Sequence, residues 1–230
     1  MKTTLATCIA ALILYEIPAF GQGSFVNLDF ESARLPVLPV GQGSVASSTN
    51  AFPGWTCYLG TAQQESVLYN AFTAGSAAIS ILGPNFEVGP AIEGSFDAVL
   101  MAGQSLGGTV SASMSQTGIV PIFSQSIQFK AVVSPLEAHL ITLSMDGVPI
   151  SLQPIATAPT YTIFGGNIAL FAGQAATLTI SALPPFGVGS FNFVFDSISF
   201  SSVAVPEPST LVLFVLGFSV LWHRLWRRSP

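Results

Sequence analysis

Three acidic side chains in the body of this chain have types and spacing that suit hydrolytic chemistry. Glu87, Glu93 and Asp97 lie close together in sequence, and a pair of carboxylates can serve as acid and base in glycoside hydrolysis. They flank Gly89-Pro90 and Gly94-Ser95, a composition typical of a solvated loop. The sequence therefore predicts a non-catalytic protein, with a secreted glycan-active hydrolase or lyase as the alternative.

A serine in a glycine-rich segment is the second candidate for catalysis. Ser105 lies in the sequence GQSLG, which matches the G-x-S-x-G pattern of a nucleophile elbow. That elbow needs a strand before it, a helix after it and a histidine within reach. Here an alternating strand from Val110 follows, and His139 is the only histidine between the two ends of the chain. The segment is interpreted as a connection between strands, and no catalytic residue is predicted.

The end of the chain combines a proline motif, an apolar run and a basic terminus. The motif is Pro206, Glu207 and Pro208, and the basic residues are Arg224, Arg227 and Arg228. Two prolines fix the backbone and remove donors, so the motif is predicted to be stiff and extended. The run over about residues 209–226 forms a helix of roughly 27 Å, against about 30 Å for a bilayer core. The positive-inside bias keeps the arginines in the cytoplasm.

Residues 205–230 thus resemble the PEP-CTERM protein-sorting signal of Gram-negative bacteria. That signal consists of a Pro-Glu-Pro motif, a single transmembrane helix and a basic terminus. The resemblance implies recognition by an exosortase, a membrane-embedded transpeptidase-like enzyme, with this chain as its substrate. It also implies anchoring in the inner membrane with the body in the periplasm, followed by delivery to the cell surface or the extracellular matrix. Whether the helix is later removed stays open.

The start of the chain is predicted to be a signal peptide. Lys2 supplies a positive charge, residues 5–14 form an apolar run, and Ala19-Phe20-Gly21 places small residues before a cleavage site. The predicted division is a signal peptide over 1–21, an ectodomain over 22–204 and a sorting signal over 205–230.

The body is acidic and poor in charge. Arg34 and Lys130 are the only basic residues in 22–205, against nine acidic ones, which gives a net charge of −7. Only 7% of the whole chain is charged, against about 25% in ordinary domains. Nucleic acid is excluded as a partner because phosphate binding needs clustered Lys and Arg. Cys57 has no partner within the body and is predicted to be a buried hydrophobe, with intermolecular pairing as the alternative.

The body is predicted to be an all-β, antiparallel two-sheet sandwich of jelly-roll type. Val110, Ala112 and Met114 alternate with serines, the period of half-buried strands. Asp146-Gly147 between two apolar runs predicts a hairpin with a two-residue turn. No segment between the termini has a convincing helical period. Further strands are predicted at 25–30, 55–59, 66–69, 77–82, 95–101, 127–133, 161–164, 178–182 and 191–200.

The last predicted strand changes phase. Phe191, Phe193 and Phe195 occupy odd positions, whereas the following apolar residues, Ile198 and Phe200, occupy even ones. This slip predicts a β-bulge at Asp196-Ser197.

The opening and closing strands, FVNLDFES and FVFDSISF, resemble those of galactose-binding-like and carbohydrate-binding-module jelly rolls. The resemblance implies a structural calcium ion held by Glu31 and Asp196 with backbone carbonyls. Solvated or turn-capping carboxylates are the alternative. A sugar site offers an aromatic platform with a few polar groups. The candidates are Trp55, Tyr58, Tyr69 and Tyr161, with a core position as the alternative for Trp55.

The sequence therefore predicts a secreted, non-catalytic surface or matrix protein that is sorted by an exosortase. Its β-sandwich is expected to scaffold or bind exopolysaccharide. The expected partners are the exosortase, the inner membrane and exopolysaccharide, and structural calcium is the one cofactor considered.

Overall fold

The computed structural model describes residues 24–87, 91–186 and 189–206, which form two packed β-sheets. The predicted signal peptide over 1–21 and the predicted membrane helix over 209–226 lie outside the described residues. So do Glu207, Pro208 and the three arginines. Within the described part of the chain, no helix is both long and apolar enough to cross a membrane.

The larger sheet has nine strands. They are β1 (Ser44–Ser47), β4 (Ser66–Tyr69), β5 (Ala78–Leu82), β6 (Asp97–Ser105), β7 (Gly108–Val110), β9 (Ser126–Val132), β12 (Gln153–Thr157), β13 (Thr162–Asn167) and β15 (Phe191–Ser201). Their order is β1-β4-β5-β6-β15-β9-β13-β12, and β7 pairs with β6. The longest strand, β15, therefore lies near the centre of this sheet.

The smaller sheet has six strands. They are β2 (Thr56–Leu59), β3 (Ala62–Gln64), β8 (Ala112–Ile119), β10 (Ile141–Met145), β11 (Val148–Ile150) and β14 (Ala175–Ala182). Their order is β11-β10-β14-β8-β2-β3. Neighbouring strands are antiparallel in both sheets, except that β4 and β5 are parallel. The helical elements described are α1 (Ser48–Ala51) and two 3-10 turns, Ala138–Leu140 and Ala169–Phe171. The predicted two-sheet antiparallel sandwich is confirmed.

The predicted strand over 25–30 is wrong. Ser24 makes a single bridge to Ile119, and the chain then turns, with positive φ at Asn27 (51°) and Phe30 (58°). That conformation departs from the extended backbone of a regular strand, and here no ladder resumes after it. The turn places Phe30 in the core, where its ring meets those of Phe52 and Trp55 and also of Phe195, at centroid distances of 5.4 to 6.0 Å.

Two local predictions are confirmed. Asp146 and Gly147 both have positive φ, 51° and 77°, in the two-residue turn between β10 and β11. The register of β15 against β9 shifts between Asp196 and Ser199, and Ser197 has φ of 53°. The bulge therefore lies where the apolar positions change phase.

The register of three adjacent strands places three ionisable side chains side by side. Ala98, Phe195 and Ala131 point into the core from β6, β15 and β9. Because side chains alternate across a strand, the neighbours Asp97, Asp196 and Lys130 lie on the outer face. Asp196 is paired directly with Lys130 in the ladder. This outer face of the nine-stranded sheet positions the candidate site.

Candidate functional site

The candidate site is a group of polar side chains on the outer face of the nine-stranded sheet, which we call the carboxylate cluster. Its members are Glu31, Glu93, Asp97, Lys130, Asp196 and Ser197. The three strands described above supply Asp97, Lys130 and Asp196, and the bulge supplies Ser197. Glu31 comes from the N-terminal turn and Glu93 from the loop before β6. The cluster therefore joins segments that are far apart in sequence.

The exposed part of the cluster is an ion pair with a serine. Glu93 Oε2 lies 2.5 Å from Lys130 Nζ and 2.5 Å from Ser197 Oγ. The hydrogen bond from Lys130 is the main reason that the pKa of Glu93 falls below its usual value. The same bond raises the pKa of Lys130. Both groups are therefore charged at neutral pH and present a polar edge to solvent.

The buried part of the cluster is a pair of aspartates. Asp97 is 4% exposed and Asp196 is 1% exposed. Asp97 Oδ1 accepts the Ile92 N–H at 3.0 Å, and Asp196 Oδ1 accepts the Ser197 N–H at 2.6 Å. These bonds orient the two carboxylates without neutralising them.

Burial raises the pKa of both aspartates. The pKa of Asp97 rises to about 6, chiefly through loss of hydration and also through repulsion by Glu31. The pKa of Asp196 rises to about 7, again chiefly through burial, with added repulsion from Asp97 and Glu31. The three carboxylates therefore act on one another, and the pair of aspartates binds or releases protons near neutral pH.

Glu31 fastens the N-terminal turn to the loop before β6. Its Oε1 accepts the N–H groups of Ser95 and Phe96 at 2.8 and 2.9 Å. The carboxylate lies against Gly94, whose φ of +62° favours glycine and where a Cβ would collide with it. Glu31 thus has a structural role in this contact.

The predicted calcium ligands do not form a ready-made metal site. Glu31 and Asp196 belong to the same cluster, but oxygens of both already accept backbone N–H groups. In the ranges that the structure describes, no group of three or more His, Cys, Asp or Glu side chains is arranged to hold a metal ion.

The four aromatic candidates do not share one face. Trp55 and Tyr69 are buried in the core, so the prediction that they face a ligand is corrected. Trp55 Nε1 donates a hydrogen bond to the Asn27 carbonyl at 3.0 Å. The Tyr69 hydroxyl donates one to the Pro36 carbonyl at 2.9 Å. Tyr58 is partly exposed on β2, in the other sheet. Tyr161 adjoins the carboxylate cluster, since Lys130 Nζ lies 5.4 Å from the centre of its ring.

The residues considered for catalysis do not all come together: Glu93 and Asp97 belong to the carboxylate cluster, whereas Glu87 and Ser105 lie elsewhere. Glu87 is exposed and lies beside Gly41, whereas Glu93 pairs with Lys130 and Asp97 is buried. Ser105 pairs with Gly108 in the β6–β7 hairpin, so a strand follows it where an elbow needs a helix. The interpretation of this segment as a connection between strands is confirmed.

Two of the depressions formed by described residues are mostly apolar. One, of about 170 Å³, adjoins the cluster on the outer face of the larger sheet and is lined by Asp97 with Phe72, Phe86, Val132 and Val194. The other, of about 480 Å³, has a mostly apolar lining that includes His139, Leu152 and Phe164. The first extends the cluster with an apolar wall.

The comparisons with known proteins identify a sorting signal. Residues 204–229 match the family model described as the PEP-CTERM protein-sorting motif. The chain therefore carries that signal, which implies an exosortase as processing partner, together with export and membrane-anchored sorting. No curated protein matches the sequence.

Three solved structures show limited similarity. The enzymatically active domain of a tailspike protein of bacteriophage CBA120 is 13% identical over 65% of this chain and 19% of its own, with a TM-score of 0.35. A cleaved adhesin domain of Lys-gingipain from Porphyromonas gingivalis is 9% identical, over 72% of this chain and 100% of that domain, with a TM-score of 0.36. The family 11 carbohydrate-binding module of a cellulosomal cellulase of Clostridium thermocellum is 11% identical, over 74% of this chain and 100% of that module, with a TM-score of 0.35. These TM-scores lie below 0.5 and carry no conclusion about function.

We expect the stability of the ectodomain to fall as the pH rises from about 4 to about 7. The pKa of each buried aspartate is higher in the folded protein than the ordinary value of 3.8, so the folded state binds more protons in this window. The stabilisation is complete below the unfolded pKa and is lost as the pH passes the folded pKa. Urea unfolding of residues 22–206 with a chelator present measures the effect.

The matched variants are Asp196→Asn and the surface change Glu65→Gln. The amide introduced by Asp196→Asn keeps the acceptor for the Ser197 N–H but cannot carry a buried charge, so at pH 8 we expect a gain of about 3 kcal/mol. Glu65→Gln should behave like the wild type. If the stability of all three proteins changed with pH in the same way, the pH dependence could not be assigned to Asp196.

Proposed function

We propose that this protein is an exported, non-catalytic component of the cell surface or extracellular matrix. An exosortase recognises Pro206, Glu207 and Pro208, and the β-sandwich binds or scaffolds exopolysaccharide. The observation that carries the proposal is the sorting signal over 204–229, which follows β15 directly. The ectodomain lies in the periplasm while the chain is anchored in the inner membrane, before its release to the surface.

The start of the motif is accessible in the folded protein. Val205 is buried, whereas Pro206 is exposed. An extended substrate needs backbone that is free of other hydrogen bonds on the side that enters the enzyme. Pro206 has no backbone N–H, so it cannot donate a hydrogen bond to a further strand. The first residue of the motif, Pro206, is therefore open to an enzyme while the sandwich stays folded.

Sorting is tested by the mature C-terminus. We expect the double variant Pro206→Ala/Pro208→Ala to keep its C-terminal segment, because the rigid extended motif is lost. Mass spectrometry should find the wild type shortened in cells with a functional exosortase and intact in cells without one. Glu65→Gln is the matched control. Identical C-termini in both strains would refute the sorting step.

The ligand surface that we propose is Tyr161 with the exposed edge of the carboxylate cluster. A sugar ring stacks on an aromatic face while charged groups bind its hydroxyls. Tyr161 lies next to Lys130, and Lys130 is fixed by Glu93 at 2.5 Å. The adjoining depression continues this surface along Val132 and Val194. The low charge of the chain suits a hydrated, mainly neutral polymer better than an electrostatic partner.

Glycan binding should depend on Tyr161. We expect Tyr161→Ala to weaken capture of matrix exopolysaccharide by residues 22–206 about tenfold, equivalent to roughly 1.4 kcal/mol of lost stacking. Tyr58→Ala, in the opposite sheet, is the control and should bind normally. Equal binding by both variants would show that Tyr161 does not contact the polysaccharide. Polysaccharide turnover that Glu93→Gln abolishes would instead favour the hydrolase alternative.

Calcium is a separate proposal. Glu31, Asp97 and Asp196 repel one another, as their effects on pKa show. A divalent cation would relieve that repulsion if the backbone donors gave way, and oxygen ligands are those that calcium prefers. Glu31 and Asp196 would be its ligands.

A thermal shift measurement tests this proposal. At pH 8, a calcium concentration about 100-fold above Kd should raise the melting temperature of residues 22–206 by roughly 5 °C or more relative to a chelator. Asp196→Asn should abolish the rise, and Glu65→Gln should leave it unchanged. No shift in the wild type would eliminate calcium.

A further inference from the structure

The chain leaves the sandwich along a docked path. Ser126 Oγ donates to the Val203 carbonyl at 2.7 Å. The Asn167 side chain then holds both backbone groups of Val205: its Oδ1 accepts the N–H at 2.8 Å, and its Nδ2 donates to the carbonyl at 3.1 Å. The side chain of Val205 is buried beside Gly165. The first residues of the sorting signal are therefore part of the folded domain.

Only a short length of chain connects the docked tail to the predicted membrane helix. Six residues lead from Val205 to Leu211, where the apolar run begins, and they span at most about 21 Å when fully extended. The headgroup layer on each side of a bilayer occupies roughly 5 to 8 Å of that reach. The end of the sandwich from which the tail leaves must therefore stay close to the bilayer surface while the chain is anchored.

Large apolar side chains are exposed at that same end. Ile122 is 70% exposed, Phe123 78% and Leu170 86%. They lie in the loop before β9 and the loop after β13, and we call them the apolar tip. The loops are joined by hydrogen bonds between Val120 and Gly173 and between Gln125 and Ile168. Gln125 also donates to the carbonyl of Ser201, at the end of β15.

The segments around the tip contain no charged residue. These segments are 120–126, 166–174 and 201–206. Asp146 lies at the corresponding end of the smaller sheet, but its carboxylate accepts the Thr177 N–H at 2.7 Å. Single exposed apolar residues occur elsewhere, Leu106 among them, and are normal for a protein surface. What distinguishes the tip is its position beside the exit of an anchored tail.

We propose that the apolar tip inserts into the interfacial layer of the membrane that holds the sorting signal, so that the sandwich stands on the bilayer by this end. This inference rests on the proposed anchoring. A short tether gives a high effective concentration, so a weak apolar contact suffices. Apolar side chains on a rigid support bind the boundary between headgroups and acyl chains without needing positive charge. The docked tail then holds Pro206, the first residue of the motif, near the membrane surface.

Cysteine labelling tests the proposal in the full chain. Cys57 is buried and its pKa is raised to about 12, so it does not compete for a maleimide. Leu170→Cys reports on the tip, and Leu106→Cys reports on the far end, since β6 runs away from the exit of the tail. Both carry Cys8→Ser and are expressed in a bacterial host that lacks exosortase. Right-side-out spheroplasts are treated with a membrane-impermeant maleimide.

We expect the thiol at 170 to react about tenfold more slowly than the thiol at 106, because a thiol in apolar surroundings forms less thiolate. In a chain that ends at Pro206 the two rates should be equal. Equal rates in the anchored chain overturn the proposal, and so does slow labelling at 170 in the shortened chain, which would mean self-association. If the full chain is absent from the membrane fraction, the anchoring itself fails.

Discussion

The β-bulge at Asp196-Ser197 is the constraint on which the rest of the structure depends. Before the bulge, β15 directs Phe193 and Phe195 into the core, and after it Ile198 does so. The left-handed Ser197 makes this change of phase without breaking the strand. The Ile198 N–H then bonds to the Leu28 carbonyl and fixes the N-terminal turn that carries Phe30 into the core. The same bulge supplies Ser197 to the cluster, so fold and candidate site share one backbone feature.

The sequence predicted what local periodicity determines. Strands such as β8 and β14 alternate strictly, and the 146–147 turn has a residue pair that tolerates positive φ. The strands β1, β3 and β12 were not predicted because they are short and their sequences SVAS, AQQ and QPIAT show no apolar alternation. The error at 25–30 has the opposite cause: the apolar residues alternate there, but Phe30 packs through a turn and not through a ladder.

The site was predictable only in part, for a physical reason. Glu31 and Asp196 were placed together from a resemblance of the two end segments, and the structure brings them into one cluster. Asp97 and Lys130 complete it only through the register of β6 and β9 against β15, which pairs residues 62 to 97 positions apart. A single sequence does not encode such a register visibly. Nor does it distinguish the buried Trp55 from the partly exposed Tyr161, since burial depends on the packed tertiary structure.

The electrostatics of the cluster follow from the scarcity of cations in the body. Lys130 forms its ion pair with the exposed Glu93. Neither buried aspartate has an ion pair in the described part of the chain, and repulsion by Asp97 helps to raise the pKa of Asp196. Repulsion between two nearby carboxylates can be relieved by a proton or by a divalent cation, and both bind to the same oxygens. The proton is therefore a competitor of any bound cation.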